Sequence, residues 1–491
     1  MSSRVTGAGP QAALLMSAVV ERHRAGRLAE AISLYGKLLK LAPAEPEAWY
    51  ALGLAQMQSG DSLSASRSWL KAVKLRPDYG PAWVNLGNAQ AALAQPEAAE
   101  ASFCKGIALL PDLPEAHGNL AIVLGQLDRA AEGEQSARRA LELRPDDPGL
   151  LNNLGMLLHQ LGRLEEAEAA YRRSLALQPD NARAAFNLSL VLLRKGDWAE
   201  GWALREARLR GGVGNLQPRS FTQPEWAGED IAGKTILLYA EQGFGDSLQF
   251  LRFCAQIAAK VIVEVPRPLV RLAATAAGVA QVVASGDNLP EFDVHLPLMS
   301  VARILKLDVS NVPASVPYLS VPSSDWGKRL AAWPGKKVGL VWSGDPRPHD
   351  PLATAVDRRR SMALATLKPL LELPGVTFVS LQKGAAAGQI RKLDKALRPH
   401  EVMEGIKDFA DTAALVDALD LVITVDTAVA HLAGALGKPV WILSRFDGCW
   451  RWLADRDDSP WYPTARLFRQ ERPGDWPVVV EQVRTALLGF V

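Results

Sequence analysis

The stretch Pro77-Asp-Tyr-Gly-Pro-Ala-Trp83-Val-Asn85-Leu-Gly87-Asn-Ala-Gln-Ala-Ala-Leu-Ala-Gln-Pro-Glu-Ala-Ala99-Glu-Ala-Ser-Phe103, closed by Pro111, decides the fold of the first half of the chain, because its marked residues recur 34 positions away. Prolines fall at Pro43, Pro77, Pro111, Pro145 and Pro179. Trp49 answers Trp83, and Gly53 answers Gly87. Ala31, Ala65 and Ala99 share one phase, as do Tyr35, Trp69, Phe103 and, two repeats on, Tyr171. A single packed core requires no such beat. A stack of equivalent units does, since each unit buries its apolar face on the next.

Asn85, Asn119, Asn153 and Asn187 keep the same spacing in the first helix of successive units, and Ala51 breaks the column earlier. An amide both donates and accepts, so such a column can pair with the backbone of an extended peptide whatever its side chains. The alternative is that the position favours Asn for packing between helices. The repeat resembles the tetratricopeptide repeat over 12–215, after a tail of residues 1–11, with about six units of which the last caps the stack. That resemblance implies paired antiparallel helices in a superhelix whose groove holds a peptide. The column is similar to the asparagine ladder of the O-GlcNAc transferase family, which implies acceptor-peptide binding and leaves self-association through the repeats open.

Lys and Arg total 55 against 53 Asp and Glu, a net charge of +2, which argues against nucleic acid as partner. Cys104, Cys254 and Cys449 are far apart and odd in number, so they give neither a disulfide framework nor zinc spacing and fit a reducing compartment. The apolar run Ala12–Val20 passes straight into Glu21-Arg22-His23-Arg24 without a cleavage site and reads as helix. No apolar run reaches spanning length. The expectation is a cytoplasmic protein without membrane insertion.

After Gly196 the beat fades, and Gly211–Asn215, Pro218 and Pro224 mark a crossing. Beyond it, β-rich runs alternate with helical stretches: Thr235–Tyr239, Val261–Val265, Val338–Trp342, Val376–Leu381, Leu421–Val425 and Val440–Leu443. This is the pattern of parallel sheets with crossover helices, in two groups separated by Pro313–Pro334. It predicts two Rossmann-like lobes, 216–333 and 334–491, with a ligand cleft at the carboxyl ends of the strands. Leu421–Val425 runs into Asp426-Thr427-Ala428-Val-Ala-His431, where a helix of small residues begins. Its first N–H groups form an anion site, and Asp426 either caps the helix or holds a sugar hydroxyl. His431 reads equally as a packed core histidine.

These segments resemble the GT-B glycosyltransferases of the ADP-heptose transferase type over 234–491, together with Glu241-Gln-Gly243-Phe-Gly245-Asp246, Val338-Gly-Leu-Val-Trp342-Ser343-Gly344 and Ser380-Leu-Gln382-Lys383-Gly384. A similar region joined to such repeats occurs in bacterial protein glycosyltransferases, flagellin-modifying ones included. The resemblance implies a nucleotide-sugar donor on the 334–491 lobe and an acceptor on the 216–333 lobe. Asp246 is implied as base, which with in-line departure means inversion, although it also suits an N-cap of helix 247–258. Donor contacts are implied at Ser343, Gly344, Gln382, Lys383, Asp426, Thr427, Ala428 and His431, with Arg360 the member of Arg358–Arg360 best suited to the phosphates. No metal or other cofactor is expected: Asp455-Arg-Asp457 lies in an aromatic loop, H-E-x-x-H is absent, and Gly243-x-Gly245 does not continue as a dinucleotide fingerprint. The function implied is transfer of a sugar to Ser or Thr of a protein, flagellin being one candidate. A repeat scaffold with an inactive domain, or transfer to a glycan, stays open, as do the sugar and the nucleotide.

Overall fold

The computed structural model of the chain describes residues 10–210, 213, 216, 219–347 and 350–490. It divides into two compact units, Met1–Pro179 and Asp180–Val491. Most of the expected 1–11 tail and of the Gly211–Asn215 crossing lies outside the described residues, as does Pro218.

The first unit is five antiparallel helix pairs: α1 Pro10–Arg24 with α2 Leu28–Leu41, α3 Pro46–Gln58 with α4 Ser62–Leu75, α5 Gly80–Ala92 with α6 Pro96–Leu109, α7 Pro114–Gln126 with α8 Ala130–Leu143, and α9 Pro148–Gln160 with α10 Leu164–Leu177. Proline opens several of these helices, where its missing N–H goes unused. The sequence beat has direct physical causes. Trp49 Nε1 donates to the Pro43 carbonyl at 2.8 Å, Trp83 Nε1 to that of Pro77 at 2.8 Å, and His117 Nε2 lies 2.8 Å from that of Pro111. Each bond ties the start of a first helix to the preceding proline turn. In three of the five pairs a glycine on the first helix receives an aromatic ring from the second, while α1 and α2 carry Val19 and Tyr35 at the same positions, both buried. A Cβ at Gly53 would fall 2.5 Å from Trp69, at Gly87 2.8 Å from Phe103, and at Gly155 2.7 Å from Tyr171. In the pair α7 and α8 both partners change together, to Ala121 and Ala137, and both are buried.

The second unit opens with α11 Ala182–Lys195 and α12 Trp198–Arg205, the helices read from sequence as the end of the repeat stack. They join this unit because their apolar faces pack on its core: Trp198 stacks on Trp461 (centroids 5.2 Å), and Trp202 meets Trp450 (5.2 Å) and Phe250 (5.9 Å). Arg194 of α11 donates to the carbonyls of Asp447 (2.9 Å) and Phe446 (3.2 Å).

Two wholly parallel sheets follow. The first contains β1 Thr235–Tyr239, β2 Lys260–Val265, β3 Val279–Ala284 and β4 Val294–Pro297, in the order β3-β2-β1-β4. The second contains β5 Lys336–Val341, β6 Val376–Ser380, β7 His400–Glu401, β8 Leu421–Val425, β9 Val440–Ser444 and β10 Ala465–Arg469, in the order β10-β9-β8-β5-β6-β7. In both sheets the chain winds one way and then returns to the far side of its first strand. That creates switch points between β1 and β4 and between β5 and β8, where a crevice opens at the strand ends. Helical repeats of tetratricopeptide type thus precede an α/β GT-B plan of two sheets.

Candidate functional site

The β5–β8 switch point gathers most of the expected donor residues. β8 is buried throughout and ends at Asp426; Thr427 occupies the N-cap of helix Ala428–Ala435 in an extended conformation. Thr427 Oγ1 lies 3.1 Å from Thr424 Oγ1, which anchors the turn. From β5, the Ser343 hydroxyl donates to the Gly344 carbonyl (3.2 Å), and the Gly344 N–H donates to Ser361 Oγ (2.9 Å). Arg360 bridges the two strand ends: it pairs with Asp357 at 2.8 Å and donates from Nη1 to the Asp426 carbonyl at 3.1 Å. The Arg358–Arg360 run is therefore more than a solvated face, since Arg359 and Arg360 are largely buried. The Asp426 carboxylate, half-buried, makes no hydrogen bond among the described residues.

Two expected contacts are engaged with the backbone. Gln382 accepts from the N–H groups of Trp342 (3.1 Å) and Ser343 (3.0 Å) and donates to the carbonyls of Ser343 and Lys383, both 3.0 Å. It fixes the turn after β5. Lys383 Nζ donates to the Ile406 carbonyl at 2.8 Å. His431 is enclosed: Nδ1 lies 3.0 Å from the Tyr462 hydroxyl and the ring stacks on Trp452. Burial drives its pKa well below the usual imidazole value, with the charges of Arg451 and Arg252 adding to the effect, so the ring is neutral. Its remaining edge faces Gly245, where a Cβ would stand 2.7 Å from Cδ2. Gly245 is the residue that lets the first sheet's loop approach the 428–435 helix.

Asp246 is the third residue of helix Phe244–Phe250, whose N-cap is Gly243. Its Oδ2 accepts the Gly243 N–H at 2.9 Å, and its Oδ1 pairs with Arg451. The helix therefore starts earlier than the alternative N-cap reading required, and Asp246 closes its first turn from within. Arg451 is the residue that sequence reasoning missed. Its Nε donates to Gln249 Oε1 at 2.6 Å, its Nη1 approaches Cys449 Sγ at 3.2 Å, and its guanidinium lies 4.2 Å from the Trp450 ring centroid. Burial alone would lower its pKa; the surrounding negative groups, Asp246 first and Asp426 among them, raise it instead. Arg451 thus links the two strand ends electrostatically.

A second arginine cluster flanks the first; sequence reasoning named its Arg359 within the 358–360 run and missed Arg445 and Arg205. Arg445, just past β9, donates to Asp447 Oδ1 at 2.7 Å, and Arg359 pairs with Asp447 Oδ2 at 3.1 Å. Arg205 of α12 is only 4% exposed. It has phenyl and indole rings beside it, Phe186 at 4.6 Å and Trp450 at 6.0 Å, and one long contact of 3.4 Å to Gln242 Oε1. Burial, with Arg208 and Arg451 nearby, pulls its pKa down to about 9. Arg194 and Lys383 are satisfied by backbone carbonyls, and Arg194, Arg205 and Lys383 form no salt bridge among the described residues. The only sequence signal was the run Trp450-Arg451-Trp452, in which the cation lies over the first indole and the second stacks on His431. Among the described residues no three His, Cys, Asp or Glu side chains group as metal ligands.

The asparagines divide between the units. In the first, Asn85 donates to the Tyr50 hydroxyl (3.1 Å), and Asn119 donates to Asn88 Oδ1 (2.8 Å). These amides link neighbouring repeats. Asn153 is half-buried in α9; Asn187 is half-buried in α11 of the second unit.

The chain thus combines a tetratricopeptide-type array with a domain of glycosyltransferase type. Residues 379–443 match the model of glycosyltransferase family 9 (heptosyltransferase), and residues 1–216 match that of the cilia and flagella-associated protein 70 C-terminal domain. The chain is 28% identical over 326 residues to Protein FlbA of Caulobacter vibrioides, an alignment covering 59% of this chain and 52% of FlbA. It therefore spans about half the length of the curated relative it matches. Among solved structures it resembles MamA 41-end from Desulfovibrio magneticus RS-1, at 21% identity, a TM-score of 0.34, and coverage of 35% of this chain and 98% of that one. It also resembles TTC0263, a tetratricopeptide protein of Thermus thermophilus, at 25% identity, a TM-score of 0.30, and coverage of 37% and 99%. Among the described residues no helix is long and apolar enough to cross a membrane.

Proposed function

We propose that the protein is an inverting, metal-independent glycosyltransferase that moves a sugar from a nucleotide-sugar donor to Ser or Thr of a protein acceptor. One observation carries this reading: the strand-end residues Ser343, Gly344, Arg360, Asp426 and Thr427 converge at one switch point, and Arg451 connects them to Asp246 on the facing lobe. The donor phosphate group binds at the N–H groups of Thr427 and Ala428, with Ser343, Gly344, Arg360 and Lys383 around it. Asp426 holds a sugar hydroxyl, and His431 and Gln382 support the walls. Asp246 takes the proton of the acceptor hydroxyl as its oxygen bonds the anomeric carbon. The bond from that carbon to the phosphate oxygen breaks on the opposite side, and Arg451 with Arg445 and Lys383 stabilises the departing charge. For Asp246 to act, Arg451 must turn toward the phosphate, so donor binding itself frees the base.

The repeats of the first unit recruit the acceptor through the column Asn85, Asn119 and Asn153, where Asn85 and Asn119 exchange their inter-repeat bonds for the acceptor backbone, and flagellin before its export is one candidate acceptor. Transfer to a glycan is the second reading, favoured by the heptosyltransferase family match. Donor hydrolysis by the full chain, followed across UDP-, GDP-, ADP- and CMP-sugars, tests the enzyme. Hydrolysis and thermal stabilisation by one nucleotide class are expected; neither with any class refutes it. Protein against glycan acceptors then separates the two readings.

A further inference from the structure

The two sheets have four outer edges, and three are protected. β7 is only two residues long. β10 carries Arg466 and Arg469. β4 is covered by the 224–226 segment, where Trp226 N–H donates to the His295 carbonyl at 2.9 Å and His295 N–H to that of Pro224 at 3.1 Å. Short strands, charges and cover are the usual means of preventing an edge from pairing. β3 uses none of them. It reads Val-Ala-Gln-Val-Val-Ala, six residues without charge or proline, and no strand lies along its outer edge among the described residues.

That edge is not buried in a wall. It lines a cavity of about 710 Å³ at the carboxyl ends of β2 and β3, the end of the sheet from which Asp246 emerges; Gln281–Ala284 form one side and Lys407 and Asp408 of the facing lobe the other. The Ser285 N–H donates inward to the Val265 carbonyl at 2.9 Å. By alternation along the strand, Val282 turns its N–H and C=O outward to the cavity. The arginines there are neutralised in place: Arg267 pairs with Asp287 at 2.6 Å, and Arg271 with Asp408 at 2.9 Å and Asp411 at 3.0 Å. The cavity therefore exerts little pull on an acidic ligand. A row of free backbone groups beside the apolar side chains of Val270 and Val282 suits an uncharged, extended polypeptide.

We infer that the free edge of β3 receives an acceptor polypeptide as an added strand. The identity of the occupant rests on the protein-acceptor reading above. A segment anchored there continues across the strand ends toward Asp246, so the edge selects extended, uncharged Ser- or Thr-bearing stretches. The repeats capture the acceptor, and β3 sets the register of the modified residue.

The test uses the full chain and a fluorescent peptide of roughly twelve residues alternating Val with Ser or Thr, beside the same peptide N-methylated on alternate amides. Binding is read by anisotropy, and amide exchange is followed at 279–284. Expected are binding of the plain peptide, slowed exchange across β3, and a loss of about tenfold or more on N-methylation and in Gln281→Lys, whose exposed charge protects the edge. Equal binding of both peptides, no binding, or exchange slowed elsewhere overturns the inference. So does slowed exchange at β3 without peptide together with concentration-dependent dimerisation, which would make the occupant a second copy of this chain. Donor hydrolysis is measured in parallel. If it is normal while β3 stays unprotected, this inference alone fails; if β3 takes the peptide while no donor is hydrolysed, the enzymatic reading alone fails.

Discussion

The contact between Gly245 and His431 offers a quantitative test of how the two lobes are held. In Gly245→Ala the new Cβ would lie 2.7 Å from His431 Cδ2 and 3.3 Å from Nε2. Comfortable contact begins near 3.5 Å, so the groups must separate by roughly 1 Å. The histidine has little room to move, with Tyr462 bonded at one edge and Trp452 stacked on its face. The strain therefore passes to the two helices, Phe244–Phe250 and Ala428–Ala435. Overpacking of this kind costs about 1–3 kcal/mol. His431→Ala removes the clash partner but leaves a cavity and takes one partner from the buried Tyr462 hydroxyl, at about 2–4 kcal/mol. In the double variant the alanine methyl enters the vacated space, so the combined loss should fall short of the sum by at least about 1 kcal/mol. Urea unfolding of the four proteins, followed by tryptophan fluorescence, measures the cycle. Additivity within about 0.5 kcal/mol would refute the argument that the glycine exists for this approach. Donor affinity should fall in Gly245→Ala as well, because the displaced helix carries the Thr427 and Ala428 amides.

Asp246→Asn keeps the bond from Gly243 N–H but takes no proton; transfer should vanish while donor affinity holds or rises, since Arg451 no longer leaves a carboxylate to meet the phosphate, and a near-normal transfer rate would leave Asp246 with a purely structural role. His431 gives a pH prediction. Its folded pKa lies below the unfolded value near 6.5, so the unfolded chain binds the extra proton. Its contribution is complete above that value and is lost as pH falls below it, by up to about 1.4 kcal/mol per unit. Stability measured from pH 7 to 5 should decline less steeply in His431→Gln, and an unchanged slope would show that the ring is not held neutral. Replacing Asn85, Asn119 and Asn153 together by Ala should reduce transfer to a protein acceptor far more than donor hydrolysis. Each lost pairing costs about 0.5–1.5 kcal/mol; equal loss of both activities with early melting would assign the amides to packing, a role Asn119 already has through Asn88.

The repeats were legible because each marked residue serves a local bond or contact repeated at fixed spacing, such as Trp83 to the Pro77 carbonyl. α11 and α12 keep the helical patterning read as the capping unit, and the burial of Trp198 and Trp202 against Trp461 and Trp450, which no periodicity announces, packs them on the second unit. The six long β-runs were readable from their Val and Ile content. β3 is half-exposed and carries two alanines and a glutamine, β4 ends in proline, β7 is two residues long, and β10 alternates arginines with apolar residues, so none of these four stood out. In the site, Asp426 and Asp246 were visible because each adjoins a strand-to-helix turn. Arg451, Arg445 and Arg205 were invisible because their roles arise from packing between segments distant in sequence, as when Arg451 meets Asp246.

The glycine–aromatic pairs bear on how such an array lengthens or shortens over generations. Both members of each pair lie within one repeat: Gly53 with Trp69, Gly87 with Phe103, Gly155 with Tyr171. Ala121 and Ala137 are a matched exception. A gene rearrangement that breaks at the proline turns copies or deletes whole repeats with their volumes intact. One that joins α7 to the second helix of a glycine-bearing repeat sets Ala121 against a ring that meets glycine in its own repeat, and the reciprocal product leaves a glycine facing Ala137 across a void. Breakpoints between repeats are thus tolerated and breakpoints within them penalised. The array can change its reach in whole steps while each step keeps its own fit.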